Sequence, residues 1–135
     1  MGIDHTVIIG LQYGDEGKGR VLDKILSEEH YDIVARFNGG PNAGHTLSVG
    51  DKSIVLHQIP SGIFYPDKEL YVGSGCVLNP EKTNLEISEI NCLGIDLEKR
   101  LFISPNVSLI QPHHILLDKL LGKAIGSTGN GIGPA

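Results

Sequence analysis

The stretch Gly10 to Gly19, GLQYGDEGKG, constrains the fold more than any other part of the chain. The apolar run before it, Val7-Ile8-Ile9, predicts a buried strand over residues 6–9. Val21, Leu22, Ile25 and Leu26 follow at helical spacing and predict a helix from about Gly17 to Glu29. A glycine-rich turn between a strand and a helix N-terminus gathers backbone N–H groups at the positive end of the helix dipole, which is the environment a phosphate needs. Glycines let the backbone come close because no Cβ intervenes, and Lys18 adds a point charge. The stretch departs from the common P-loop, in which Ser or Thr follows the lysine and holds Mg²⁺. Here Gly19 follows Lys18, and an acidic pair, Asp15-Glu16, sits inside the loop. A carboxylate beside phosphates makes chemical sense as a metal ligand, or as a base acting on a second substrate. The bland alternative is a plain glycine-rich turn. Asp, Glu and Lys embedded among four glycines argue against it.

The 135 residues suffice for one domain with its own core. A hydrophobic share of 40% predicts a globular, soluble chain. No apolar run approaches the ~20 residues of a membrane span, and no basic-then-apolar segment at the N-terminus predicts a signal peptide. Cys76 and Cys92 form no metal or redox spacing and read as buried free thiols of a reducing cytoplasm. A net charge of −5 without a basic cluster argues against nucleic acid as a partner.

Along the chain, Asp32 to Arg36 predicts a second strand, which feeds a second glycine cluster, NGGPNAGHT, from Asn38 to Thr46. That run is too rich in Gly, Asn and Pro for regular structure and predicts a loop. Ser53 to Ile59 reads as a third strand stopped by Pro60-Ser61-Gly62, and Leu70 to Val72 as a fourth closed by Gly73-Ser74-Gly75. Asn79 as N-cap and Pro80 at the first helical position open a helix, with Leu85, Ile90 and Leu93 as its apolar stripe and Gly94 as its stop. Leu101 to Ile103 reads as a strand. Pro112 to Leu121 reads as a helix that buries Leu116, Leu117, Leu120 and Leu121 and ends at Gly122. A third glycine cluster, GSTGNGIG, runs from Gly126 to Gly133. The alternation predicts an α/β fold: a mostly parallel central sheet flanked by helices, with a P-loop-like phosphate loop. In such sheets ligands gather at loops beyond strand ends.

Asp15 and His45 are the candidate acid–base pair, each in a glycine-rich loop after a strand. With reference pKa values of about 3.9 and 6.5, the carboxylate acts as a base at neutral pH and the imidazole serves as acid or base. The alternative for His45 is a histidine that pins its loop by hydrogen bonds. Ser127 and Thr128 offer hydroxyls to a further anion, or belong to an ordinary surface loop. His113 and His114 are adjacent and project from different faces of a helix, so they read as structural. His57, inside a strand pattern, stays ambiguous.

Four segments together resemble the adenylosuccinate synthetase family: GLQYGDEGKGR at 10–20, RFNGGPNAGHT at 36–46, LHQIPSGI at 56–63 and IGSTGNGIGPA at 125–135. The resemblance runs in order through the chain. Members of that family are considerably longer, so it implies that residues 1–135 form a single N-terminal GTP/IMP-binding portion. It also implies a cytoplasmic, homodimeric ligase of AMP biosynthesis that joins IMP and L-aspartate at the expense of GTP, with Mg²⁺ as cofactor. By position, Asp15 looks like the base that takes the N1 proton of IMP and also binds Mg²⁺. His45 looks like the acid at the same centre, and Lys18 like the lysine that steadies the transferring phosphate. Gly14, Asp15, Glu16, Gly17, Lys18, Gly19, Arg20, Gly44, His45 and Thr46 match GTP-binding positions. Asp15, Glu16, Gly17, Lys18, Asn42, Ala43, Gly44, His45 and Thr128 match IMP-binding ones. The Gly44 carbonyl resembles a second Mg²⁺ ligand. Three departures accompany these matches. Tyr13 stands where Trp is usual, Arg20 where Lys is usual, and Asn130 where the family usually has Arg, a change of charge and of fork geometry. Two other readings remain: a truncated, non-catalytic nucleotide-binding module, and an unrelated phosphotransferase using the same loop. A mere binder has no need for both Asp15 and His45.

Overall fold

The computed structural model of this protein describes residues 4–11, 17–50, 52–121 and 126–135. Its elements are α1 (Lys18–Glu28), β1 (Ile33–Gly39), β2 (His45–Val49), β3 (Lys52–Leu56), β4 (Glu69–Leu78), α2 (Pro80–Cys92), β5 (Leu101–Ile103), β6 (Ser108–Leu109) and α3 (Pro112–Leu121). Strand β4 carries the sheet. β1, β5 and β6 all pair with it in parallel, while β2 and β3 form a separate antiparallel hairpin. Parallel strands need crossover connections, and α2 supplies one between β4 and β5. The core gathers between the sheet and α2, where Leu56, Ile59, Ile63, Leu70 and Ile90 are each at most 1% exposed.

Two strands differ in length from the sequence reading. β4 does not stop at Gly73-Ser74-Gly75 but runs on to Leu78. The glycines mark a bulge instead: Arg36 pairs with Val72 and Asn38 with Gly75, so two β4 residues face the single Phe37. A Cβ on Gly75 would overlap the Phe37 carbonyl oxygen, so the second glycine is what admits the neighbouring backbone. β3 ends at Leu56 rather than Ile59, because the next three backbone N–H groups turn to the Glu86 carboxylate.

Other expectations fail on burial. Residues 6–9 pair with no strand among the described residues, and Val7 and Ile9 are well exposed; an apolar run makes a strand only beside a neighbour's N–H and C=O groups. The predicted second strand extends to Gly39, and the second glycine loop shortens to residues 40–44. Leu85 of the expected α2 stripe is exposed; Thr83, Glu86 and Ile90 are the buried residues of that helix. In α3 the four leucines expected in the core are all exposed and Asp118 is buried, because that face serves the third glycine loop. The stop at Gly122 lies outside the described residues. Cys76 is buried as expected, but Cys92, the last residue of α2, is exposed; both thiols are free.

Candidate functional site

Gly17 precedes α1 at φ 72°, a left-handed conformation that glycine adopts without penalty. Having no side chain, it leaves the first N–H groups of α1 uncapped by its own residue, as an anion site requires. Gly14, Asp15 and Glu16, and with them the proposed base, lie outside the described residues. Lys18 and Gly19 are half-buried and Arg20 is exposed. Packing against β2 sets this helix start: a Cβ on Gly19 would lie 3.5 Å from the Leu47 side chain and 3.9 Å from the Thr46 carbonyl oxygen. The beginning of α1 and the end of the second loop are therefore neighbours.

The second loop leaves β1 at the C-terminal edge of the sheet. Asn42, Ala43 and Gly44 are exposed, His45 is half-buried at the first position of β2, and Thr46 is exposed opposite Val55. Lys18 and His45 both interact with neighbouring groups. The loop is fastened from behind. Arg36 donates through Nε to the Asn38 carbonyl at 3.3 Å, through Nη2 to the Gly40 carbonyl at 2.9 Å, and through Nη1 to the His57 carbonyl. Burial lowers the Arg36 pKa, against the opposing pull of Cys76 and Glu86. Burial likewise raises the Cys76 thiol, keeping it protonated, and its S–H donates to the Arg36 carbonyl at 3.3 Å. His57 Nδ1–H donates to the Ala43 carbonyl at 3.1 Å, which fixes the tautomer because a carbonyl only accepts. The ambiguous histidine of the sequence is thus a loop support.

The third loop reaches the second through Ile132: a Cβ on Gly40 would come within 2.9 Å of its side chain. Asp118 organises this loop from α3. It accepts from the Ser127 hydroxyl at 2.5 Å and from the Gly131 N–H at 2.7 Å. These two bonds, the hydroxyl first, hold its carboxyl below the usual carboxylate range. Ser127 is thus spent on the loop itself, while Thr128 stays exposed and accepts from Asn130 Nδ2 at 3.0 Å. Asn130 Oδ1 in turn accepts from Lys82 Nζ at 2.9 Å, so a cation of α2 stands beside the neutral amide. The His113 and His114 rings meet edge to face with centroids 4.0 Å apart, and His114 Nδ1 accepts from the Gln111 N–H at 3.2 Å, a structural role as expected.

The profile of the adenylosuccinate synthetase family matches residues 7–135. The chain belongs to this family. It is 50% identical over 128 residues to adenylosuccinate synthetase 2 of Cupriavidus pinatubonensis, covering 95% of this chain and 28% of that protein. It is 49% identical over 135 residues to the adenylosuccinate synthetase of Chlorobium chlorochromatii, covering 96% and 31%. Among solved structures, the fully ligated adenylosuccinate synthetase from Plasmodium falciparum superposes with a TM-score of 0.77 at 41% identity, covering 93% of this chain and 30% of that one. The succinoaminodeoxyadenylate synthetase of cyanophage S-2L, bound to dGMP and to dATP as an energy donor, gives 0.73 at 30% identity, covering 92% and 34%. This chain thus spans about three tenths of the length of these relatives. The parallel sheet flanked by helices is the family's fold.

Proline and glycine patterning located the second and third loops, but it missed what holds them. Glu86, Asp118 and Lys82 carried no motif, and Arg36 opens RFNGGPNAGHT without showing there what it holds. The available signal was a charged residue within each helical apolar stripe: Glu86 one turn before Ile90, and Asp118 among the α3 leucines.

Proposed function

We propose that the whole protein is a GTP-dependent ligase that joins L-aspartate to IMP. The observation that carries this reading is the gathering of the start of α1 with the second and third glycine loops: Gly19 against Thr46 and Leu47, and Ile132 of the third loop against Gly40. In this reading Asp15 takes the N1 proton of IMP, and the O6 so charged attacks the γ-phosphorus of GTP, breaking its bond to the β-phosphate oxygen and releasing GDP, to give 6-phosphoryl-IMP. His45 hydrogen-bonds this centre as the acid, and Lys18 with the N–H groups at the start of α1 steadies the transferring phosphate. The amine of aspartate then displaces phosphate from C6. Asn42, Ala43 and Thr128 bind IMP. Gly14, Glu16, Gly17, Gly19, Arg20 and Thr46 bind the GTP phosphates. Phosphoryl transfer depends mostly on such positioning and charge neutralisation.

The donor chemistry fits Mg²⁺, a hard cation that takes oxygen ligands. The Asp15 carboxylate and the Gly44 carbonyl would hold it, and Gly44 is exposed with its backbone pressed against Val55 and His57. Bound there, the ion would neutralise phosphate charge. Among the described residues no cluster of three or more His, Cys, Asp or Glu side chains forms a metal site. Among the same residues no helix is long and apolar enough to cross a membrane, and a cytoplasmic homodimer completes the proposal.

The test is to incubate the full-length protein with IMP, aspartate, GTP and Mg²⁺ and to follow product absorbance and phosphate release. A parallel reaction supplies dGMP with dATP, the nucleotides of the cyanophage relative. Phosphate released without succinylated nucleotide would overturn the ligase reading, and product formed only from dGMP would overturn the choice of IMP. Asp15→Asn and His45→Asn should each lower turnover by at least ~10²–10⁴-fold while nucleotide binding survives, the range for a positioned acid or base. Asp15→Asn should be the worse, since it also removes a metal ligand.

A further inference from the structure

Glu86 lies on the buried face of α2, 4% exposed. A carboxylate is rarely buried unless its charge is met by donors. Here three consecutive backbone N–H groups meet it: His57 at 3.0 Å, Gln58 at 3.0 Å and Ile59 at 2.9 Å. Such a run of amides makes a small anion nest, filled by the protein's own carboxylate. The same segment is tied to the start of α2 a second time. The Gln58 side chain accepts from the Asn79 N–H at 2.6 Å and donates to the Asn79 carbonyl at 3.3 Å. Residues 57–59 and α2 are therefore one block.

Two fastenings of the second glycine loop start on that block or lead to it. His57 Nδ1–H holds the Ala43 carbonyl. The His57 carbonyl anchors Arg36, whose other nitrogens hold Asn38 and Gly40. Gly44 sits so close to His57 that a Cβ there would lie 3.1 Å from the imidazole Cε1.

We propose that Glu86 is a positioning residue for the reaction centre: by fixing residues 57–59 it sets, through His57 and Arg36, where the Asn42–His45 loop stands. The inference rests on the ligase reading for its catalytic consequence, and on geometry alone for the positioning. Glutamine at position 86 keeps the size but replaces one acceptor by an N–H₂ group facing donors, so the nest cannot stay whole.

The test compares the full-length protein with its Glu86→Gln and His57→Ala variants. Hydrogen exchange by mass spectrometry reads the loops directly, and steady-state kinetics reads the consequence. In Glu86→Gln, exchange should accelerate over residues 57–59 and over 40–45, with the rest of α2 unchanged. In His57→Ala, which leaves the carboxylate and its amides in place, only residues 40–45 should accelerate; this variant carries the test if Glu86→Gln fails to fold. Both should lower kcat by ~10²-fold, the cost of misplacing a reacting group by about 1 Å. Unaltered exchange over 40–45 in the folded variants overturns the positioning role. A rise in KM with kcat unchanged overturns its catalytic consequence. Should the unsubstituted protein form no adenylosuccinate, the proposed function falls, while the exchange comparison still decides whether Glu86 sets the loop.

Discussion

Asp118 is the residue on which the third loop depends. Its two acceptor bonds, to Ser127 and to the Gly131 N–H, favour the charged carboxylate and lower its pKa. The folded-state pKa therefore lies below the unfolded one. The stabilisation is fully present above the ordinary carboxylate range and is lost as pH falls through the lowered value. Asp118→Asn should thus lower the melting temperature at neutral pH, and the gap to the unsubstituted chain should hold steady above the ordinary carboxylate range and narrow as pH falls below it. Paired thermal melts across that range check it. A gap that stays constant would mean that the charge of Asp118 contributes nothing to the loop. Gly131 shows why the loop needs this help. Its φ is 76°, and a Cβ there would lie 2.9 Å from the Ile115 N, so the chain can follow this path only with glycine at that position.

At the scale of elements, α2 shows what periodicity can and cannot reveal. Its start was legible, since Asn79 caps the helix by accepting from the Lys82 N–H at 3.1 Å and Pro80 follows. Its buried face was not, because the sequence offers both Leu85 and Ile90 and the neighbours decide. Truncation separates the two. Ile90→Ala, at a fully buried position, should cost ~2–5 kcal/mol, whereas Leu85→Ala, at 65% exposure, should fall within about 0.5 kcal/mol of the unsubstituted chain. Denaturant unfolding of both variants measures this, and equal losses would contradict the packing described. The same distinction explains the other misreadings. Glycines in β4 read as a stop because sequence alone hides the Phe37 backbone pressed against them. The α3 leucines read as core because a helical stripe identifies a face but not which partner it meets. The second and third glycine loops were legible because Gly, Asn and Pro act locally through backbone conformation. The buried carboxylates behind them act over 27–29 residues of separation in one case and 9–13 in the other, and no local pattern reports that.

At the scale of the whole molecule, these 135 residues hold the phosphate and acid–base side of the proposed site, and the relatives are more than three times as long. Apolar side chains stay in solvent on several faces: Val7, Ile9 and Leu11 before α1, Phe102 and Ile103 on β5, and Leu116, Leu120 and Leu121 on α3. Exposed apolar patches and unpaired strand edges favour association, so the isolated chain should self-associate as its concentration rises, which light scattering would show. Catalysis demands more than the loops. Two substrates must be held in line, and orientation of that kind contributes ~7–11 kcal/mol of barrier lowering. On the proposed reading, the grip on the purine bases and on the aspartate carboxylates is supplied outside these 135 residues. The isolated 135-residue chain should therefore bind triphosphates weakly through the start of α1 and Lys18, without distinguishing their bases, and should form no product. Calorimetric titration with GTP and ATP, beside a product assay, decides the matter. Equal weak affinities and no adenylosuccinate are the expected outcome. A clear preference for GTP would place base recognition within these residues, and any adenylosuccinate formed would place the aspartate site there too.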